Sequence, residues 1–236
     1  LGAITNLLAN SRKNKLRISM LGGVNLILSA MRGHGTCKGV QKQACWAMKN
    51  LCGEEKVEEV IAREGGTRAL LESMGRFPED KDIQEKGLST LSFLGSRVEE
   101  EEEDLILEQA TKDFQTFEED APVLQVCCDA LLAVCRTDRT RMKACELGVL
   151  LLVVKAMNKH KSSSALSSSC CRLIAGLARS QELRELVGTL SGIEAILVML
   201  HLHRGNARVE EEALLALMSL CSNHEGNKTR MNEVGG

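Results

Sequence analysis

An indole and a carboxamide stand one helical turn apart in the stretch VQKQACWAMKNLC, residues 40–52. They are Trp46 and Asn50, and neither fits the apolar pattern of the helix that this stretch predicts. A carboxamide both donates and accepts hydrogen bonds, so Asn50 can satisfy an N–H and a C=O of an extended peptide. Trp46 offers a flat wall for the stem of a ligand side chain, and Lys42 and Lys49 flank it. These residues predict a peptide-binding surface.

Residues suited to catalysis or metal binding are scattered along the chain. No histidine stands with a Cys or Ser in a known nucleophile motif, and no GxxxxGK[ST] phosphate loop is present. Only HGTC (34–37) and HLH (201–203) offer metal ligands, and neither is accompanied by CxxC or HExxH. We therefore expect a protein that is not an enzyme and that binds neither a metal nor a cofactor.

The composition predicts a folded, all-α protein. Hydrophobic residues make up 44% of the 236 residues and charged residues 26%, which excludes a disordered chain. The chain has two Pro and no Tyr, and it is rich in Leu, Ala, Glu, Lys and Met, which favour helices. No apolar run reaches the ~20 residues of a membrane span, and no signal peptide opens the chain.

The ten cysteines lack the spacing of a secreted disulfide framework, and most fall within apolar helical stripes. This pattern predicts free, buried thiols in a reducing compartment, so we expect a protein of the cytoplasm or the nucleus. The doublets Cys127–Cys128 and Cys170–Cys171 are interpreted as small core residues.

Charge is distributed unevenly, although the net charge is only −2. Residues 1–53 hold eight basic and no acidic residues, whereas residues 54–120 hold eight basic and 21 acidic ones. This order predicts a polarised surface whose basic end favours an acidic peptide or, as an alternative, nucleic acid. Nucleic acid is the weaker alternative, because few aromatic side chains are available to stack on bases.

A repeat of about 42 residues runs through the chain. Five stretches align: VQKQACWAMKNLC from 40, IQEKGLSTLSFLG from 83, VLQVCCDALLAVC from 123, LSSSCCRLIAGLA from 166 and VEEEALLALMSLC from 209. Their positions 1, 9 and 12 are apolar, and position 5 is small, which forms one stripe of a helix. The small residue at position 5 lets a neighbouring helix approach closely.

Glycine-containing turns give a second register of the same repeat, at 22–23, 65–66, 148, 192 and 235–236. Each turn follows a short amphipathic segment, and all but the last precede an apolar one. Glycine can end one helix and turn the chain sharply. Each unit is therefore predicted to contain a short helix, a glycine turn, a second helix and a long third helix.

One unit departs from this pattern. Between residues 83 and 123 no glycine turn is found, and the run EEEEED (99–104) occupies the region of the first helix. Such a run is typical of a solvated helix face or loop, and a docking site for a basic partner is the alternative. Pro122 then stands at the start of the third helix, where its missing N–H costs nothing.

A three-helix unit of this length with this glycine turn resembles the armadillo repeat. The motif ACWAMKNL is shared with armadillo proteins such as β-catenin and importin-α, and VQKQACWAMKNLC is also similar to the armadillo region of leucine-rich-repeat kinases. The resemblance implies a right-handed α-superhelix, or solenoid, of about five armadillo repeats, truncated at both ends. It also implies that Trp46 and Asn50 bind an extended peptide.

The whole chain, residues 1–236, is interpreted as a single armadillo-repeat domain. Residues 1–10 match the end of a preceding third helix, and residues 224–236 match the start of a further repeat. The repeats between them span 11–53, 54–96, 97–136, 137–179 and 180–223. Neither end shows the polar cap that a solenoid needs, so we expect the chain to belong to a larger multidomain protein, such as a kinase.

Positions 4, 7 and 11 of the third helices are predicted to line a concave face. The candidate partner-binding residues are Asn6, Lys42, Gln43, Trp46, Lys49, Asn50, Lys86 and Phe93. Asn6 and Asn50 hold the same position in adjacent units, and helices ~8–10 Å apart would let about three extended residues bridge the two amides. Later units replace this Asn, which disfavours recognition of a nuclear signal in the manner of importin-α.

Two functions fit these features. The first is a non-catalytic scaffold that binds a partner protein or an extended, acidic peptide along the concave face, most strongly near Trp46. The second is a structural or regulatory rod within a larger protein, which needs no ligand in the groove. The sequence assigns no oligomeric state.

Overall fold

The computed structural model describes residues 11–235, and every regular element within this range is an α-helix. This confirms the predicted all-α class. The helices are α1 (Arg12–Met20), α2 (Gly23–Gly33), α3 (Lys38–Leu51), α4 (Glu55–Arg63), α5 (Gly66–Arg76), α6 (Lys81–Leu94), α7 (Glu100–Thr116), α8 (Ala121–Val134), α9 (Asp138–Glu146), α10 (Val149–Lys159), α11 (Ser164–Leu177), α12 (Gln181–Thr189), α13 (Gly192–Leu202), α14 (Ala207–Cys221) and α15 (Glu225–Glu233).

The helices form two compact units, Leu1–Thr116 (unit 1) and Phe117–Gly236 (unit 2). The long third helices of consecutive repeats pack side by side within each unit. In unit 1 α3 packs on α6, and in unit 2 α11 packs between α8 and α14. Stacking of equivalent helices in this way is the α-solenoid arrangement.

The turn between the first and second helices of a repeat places one residue in the left-handed region. Gly22, Gly65 and Gly148 take this place, with φ of 79°, 80° and 78°. In the fifth repeat Ser191 takes it, with φ of 61°, and Gly192 is the first residue of α13. The expectation that Gly192 makes the turn is therefore wrong by one residue. Serine adopts the left-handed conformation at a modest cost in backbone free energy. The glycine at the next position is required by a close contact instead.

The residue after the turn lies against the side chain five positions earlier. At Gly23, Gly66 and Gly192 an added Cβ would lie 2.4 Å from a methyl carbon of Ile18, Ile61 and Val187, respectively. In the fourth repeat Val149 follows the turn, and the residue five positions earlier is Ala144; both are buried. The branched side chain and the small one have exchanged places, so the volume of the contact is retained.

The repeat that lacks the glycine turn has one long helix where the others have two. This helix, α7, spans 17 residues and packs on α5 and α6. The acidic run forms its first turn, where carboxylates interact favourably with the helix dipole. Glu99, Glu100 and Glu101 are exposed, and the next three acids are half-buried. This arrangement agrees with the interpretation of the run as a solvated helix face.

The predicted apolar stripe of the third helices is the core of each unit. Positions 1, 5, 9 and 12 are buried in all five helices, except for the half-buried Val40. None of the ten cysteines, which lie between residues 37 and 221, forms a disulfide bond, and both doublets are completely buried. Between residues 11 and 235 no single helix is long and apolar enough to cross a membrane, although α12 and α13, bent by 69°, pass the same test as a pair.

Buried glutamines fix the third helices of unit 1 to the preceding second helices. The side-chain amide of Gln41 donates to the carbonyl groups of Met31 and His34, at 2.8 and 3.0 Å. Gln84, which is 43 residues later, donates in the same way to Met74 and Phe77, at 2.8 and 2.9 Å. Each amide therefore satisfies two carbonyl groups at the open end of a helix. These bonds set the position of α3 and α6, the helices that carry the candidate site.

Candidate functional site

Trp46 lies on α3 beside α6 and is half-buried, as the polar character of its repeat position predicted. The Nζ atom of Lys86, on α6, stands 4.5 Å from the centre of the indole ring. At this distance the ammonium group is attracted to the ring face, and the contact favours this orientation of the indole. Lys86 also forms an ion pair with Glu85. The chain's own lysine therefore covers part of the wall that was predicted for a ligand stem.

The lysine on one side of Trp46 is engaged within the chain. Lys42 forms an ion pair with Asp82 and lies 4.0 Å from Asp80, which also pairs with Lys38 at 3.0 Å. The hydrogen bond with Asp82 raises the pKa of Lys42. Burial acts to raise the pKa of Asp80, but the bonds to Lys38 and to the backbone N–H of Ile83 hold it below its usual value. The charge of Lys42 is thus balanced before any ligand arrives.

Other basic side chains of residues 11–53 also have partners within the chain. Arg12 pairs with Glu54 at 2.9 Å. Lys15 donates to the carbonyl oxygen of Cys52 at 2.6 Å, and Arg32 donates to that of Glu64 at 3.0 Å. The basic character predicted for residues 1–53 is therefore partly neutralised, because Arg12, Lys38 and Lys42 pair with acidic residues of the next repeat.

The remaining predicted residues fall into three groups. Lys49 and Asn50 are half-buried on α3, and Gln43 is exposed on the same helix. Phe93 is 40% exposed near the end of α6. Asn6 lies outside the described residues, so the distance between the two predicted amides stays a prediction. The residues that the structure brings together are Trp46 and Lys86, which the sequence had placed on neighbouring third helices without pairing them.

Sequence reasoning missed Asp80 and Asp82, which hold the lysines beside Trp46. Asp82 stands 40 residues after Lys42, and Lys86 stands 40 residues after Trp46. Both intervals are close to one repeat, so residues at this spacing face one another across neighbouring helices. A search for opposite charges one repeat apart would have found the first pair.

The equivalent face of unit 2 has a different construction. Arg172 on α11 donates to Asp129 on α8 at 2.6 Å. Gly176 stands at the position of Asn50, and a Cβ there would lie 2.4 Å from the Cδ1 atom of Leu132. Two of the third helices of unit 2, α8 and α11, are therefore joined by an ion pair and a close contact at the positions where unit 1 presents Trp46 and Asn50.

The histidines take part in structural contacts. The ring of His160 lies 2.8 Å from the carbonyl oxygen of Glu118, and His224 accepts from the backbone N–H of Asn227 at the start of α15. His203 lies 3.3 Å from the hydroxyl of Ser167. Between residues 11 and 235 no three His, Cys, Asp or Glu side chains are grouped so as to hold a metal ion.

Comparisons with known proteins show similarity in fold. No family model matches the chain, and no curated protein matches it in sequence. The crystal structure of an engineered protein from the Northeast Structural Genomics Consortium superimposes with a TM-score of 0.77 and 19% identity, over 94% of this chain and 89% of that one. A chain from work on a phosphorylation switch that controls the interaction between cadherin and β-catenin gives 0.72 and 16%, over 92% of this chain and 44% of that one.

Proposed function

We propose that this protein is a non-catalytic interaction module of the armadillo type, which binds an extended segment of a partner protein on the α3–α6 face of unit 1. The observation that carries the proposal is the half-exposed Trp46, whose ring centre lies 4.5 Å from the Nζ atom of Lys86. A large aromatic side chain that is already ordered binds a partner without a further loss of side-chain entropy. Such residues are frequent anchors of protein interfaces.

The neighbours of Trp46 supply the other contacts that an extended segment needs. Asn50 follows one turn later on α3, and its carboxamide matches the donor and acceptor groups of a peptide main chain. Phe93 adds exposed apolar surface on α6. One neighbour of this fold comes from work on the cadherin and β-catenin interaction, and this supports binding of a protein partner.

Charge contributes less to the proposed recognition of the partner than the sequence predicted. Lys42 is paired with Asp82, and Lys86 is paired with Glu85. An acidic partner would have to compete with these carboxylates, so its attraction to the site is reduced. The proposed segment therefore binds chiefly through its main chain and an apolar side chain. Acidic residues of the segment that lie near Lys49 contribute less to the affinity.

The experiment is selection of peptides from a random display library with the purified chain, followed by calorimetric measurement of Kd. Trp46→Ala is expected to weaken the selected peptides about 30-fold, or ~2 kcal/mol, because the anchor is lost. Met142→Ala is the matched control, since Met142 is 42% exposed on α9 of unit 2. Equal affinities for wild type and Trp46→Ala would refute the proposed site, and so would selected peptides that lose affinity only in the control.

The second candidate is a structural rod that binds nothing in its groove. The arrangement of unit 2 favours it, because Asp129 and Arg172 pair with each other and Gly176 replaces the asparagine. Failure to select any peptide would support this candidate. Nucleic acid is disfavoured, because basic residues of the first repeat have partners within the chain. The proposed location is the cytoplasm or the nucleus, where cysteines that form no disulfide stay reduced.

A further inference from the structure

Two thiols face each other inside unit 2. Cys128 on α8 and Cys170 on α11 have their Sγ atoms 3.8 Å apart, and neither residue is exposed to solvent. The helices α8 and α11 are neighbours in the stack. The two sulfur atoms therefore meet at the contact between consecutive repeats, 42 residues apart in the chain.

The repeat positions of the two cysteines distinguish this contact from the equivalent contacts between other third helices. Cys128 stands at position 6 of its third helix, and Cys170 stands at position 5 of the next one. The same two positions hold Cys45 and Gly87 in α3 and α6, and Cys171 and Ala213 in α11 and α14. Among the adjacent third helices within either unit, as far as residues 11–235 describe them, only α8 and α11 carry a thiol at both positions.

We propose that Cys128 and Cys170 are a latent disulfide that links two consecutive repeats when the protein is oxidised. With a peroxide as the oxidant, the two S–H bonds break and one S–S bond forms. The two protons and two electrons reduce hydrogen peroxide to two molecules of water. The sulfur atoms need to approach from 3.8 Å to about 2.05 Å, which is a small displacement for two side chains that are already in contact.

Burial controls when this reaction takes place. The hydrogen bond with Cys128, together with burial, raises the pKa of the Cys170 thiol well above its usual value, so the reactive thiolate is scarce in the closed stack. Oxidation therefore follows transient opening of the contact between α8 and α11. The resulting link closes a loop of 42 residues and restricts the unfolded chain, so the oxidised unit is harder to open again.

The test is treatment of the purified chain with hydrogen peroxide at mildly alkaline pH, followed by alkylation, digestion and mass spectrometry. The expected result is a linked pair of peptides containing Cys128 and Cys170, with a rise in Tm that a reducing agent reverses. Cys128→Ser removes both effects, and Cys128→Ala serves if the serine variant does not fold. The matched controls are the adjacent buried thiols: Cys127→Ser and Cys171→Ser retain the link. Oxidation confined to the exposed Cys37, or links that involve other cysteines, would overturn the proposal.

A second experiment introduces the same pair of thiols between α11 and α14, and so tests whether these two repeat positions are sufficient for a disulfide. Ala213 is buried on α14, at the position equivalent to Cys170, and Cys171 stands at the position equivalent to Cys128. Ala213→Cys is therefore expected to add a second peroxide-dependent link, from Cys171 to the introduced thiol. A variant that folds with unchanged Tm but forms no second link would show that these repeat positions do not suffice, and the proposal would fail.

Discussion

The third helices of units 1 and 2 derive from one repeat pattern but use their outward positions differently. In unit 1 a half-exposed Trp46 lies under Lys86. In unit 2 the equivalent face is occupied by the ion pair of Asp129 and Arg172, and Gly176 lets Leu132 approach closely. The comparison teaches that a constant core stripe leaves the outward face free to vary. The face of unit 1 keeps Trp46 accessible to a partner, whereas α8 and α11 of unit 2 direct these positions into contacts with each other. On α14 of unit 2, Leu215 holds the position of Trp46 and is 47% exposed.

Buried polar groups differ between the units as well. Unit 1 holds its helix ends with Gln41 and Gln84, whereas unit 2 has Leu124, Ser167 and Glu210 at the same position. In unit 2 the buried amide of Asn227, on α15, donates to the carbonyl groups of Arg184 and Leu220. Unit 1 also buries a carboxyl group, that of Asp113 on α7, whose Oδ2 atom has no hydrogen-bond partner among the described residues. The two units therefore bury their amides at different places, unit 1 on its third helices and unit 2 on α15.

The largest effect is expected at Asp113. Burial raises the pKa of this carboxyl group to about 7, although the amide of Gln109, at 2.9 Å, acts in the opposite direction. The folded state therefore retains a proton that the unfolded state releases near pH 4. The free energy of unfolding falls as pH rises from about 4 to 7 and levels off above this range. Asp113→Asn should remove the dependence and stabilise the chain at pH 8 by up to ~4 kcal/mol.

Urea unfolding of wild type and Asp113→Asn at pH 5, 6, 7 and 8 checks this expectation. The advantage of the variant should grow between pH 5 and 7. Asp129→Asn is the control in unit 2, where the carboxylate has a cationic partner and its loss should destabilise the chain. A difference between wild type and Asp113→Asn that does not change with pH would contradict the assignment.

The second effect concerns the buried glutamines. Gln84→Ala leaves the carbonyl groups of Met74 and Phe77 without their side-chain donor, which should cost ~3 kcal/mol of unfolding free energy. Ser167→Ala at the same repeat position in unit 2 should cost ~1 kcal/mol, because only one backbone carbonyl group, that of Ser163, loses a side-chain donor. Chemical denaturation measures both. Equal losses would remove this difference between the units.

The third effect concerns Gly176, which stands in unit 2 at the position of Asn50. Gly176→Asn introduces a side chain against Leu132, and we expect a loss of ~1–2 kcal/mol in the free energy of unfolding. Ala133→Asn is the control at the same position of α8. This position is also half-buried but already has room for a Cβ atom, so we expect a smaller change. If Gly176→Asn were the less disruptive variant in thermal denaturation, close packing would not explain the missing asparagine.

The smallest effect is expected for the contact between Lys86 and Trp46. Lys86→Met keeps the length of the side chain and removes its charge, so ~0.5–1 kcal/mol of cation–π attraction should be lost. Trp46 is the only tryptophan, so a shift in its emission spectrum reports the change directly. Lys155→Met, on α10 of unit 2, is the control. An unchanged spectrum in Lys86→Met would mean that the lysine does not order the indole.

The repeat and its core were predictable because they depend on local periodicity. Apolar residues at positions 1, 9 and 12 recur in every third helix, and the glycine turns recur with them. The exception was Ser191, because a left-handed turn can be made by a residue other than glycine. Sequence therefore located the turn to within one residue but did not identify the residue that adopts it.

The candidate site was only partly predictable because it depends on contacts between helices. The outward position of Trp46 followed from its repeat position, but the placement of Lys86 over it depends on how α6 is displaced along α3. Pairing of Lys42 with Asp82 depends on the same displacement. The burial of Asp113 was missed because the repeat pattern is lost in α7, where one helix replaces two.

The contact after each helix turn has a consequence for anyone who recombines such repeats. Gly66 accommodates Ile61, whereas Val149 is matched by Ala144. A crossover placed between the two members of such a pair would put two branched side chains into one space, or leave a hole between two small ones. Hybrid proteins should therefore exchange both residues as one inherited block, with the joints placed in the loops that precede the first helix.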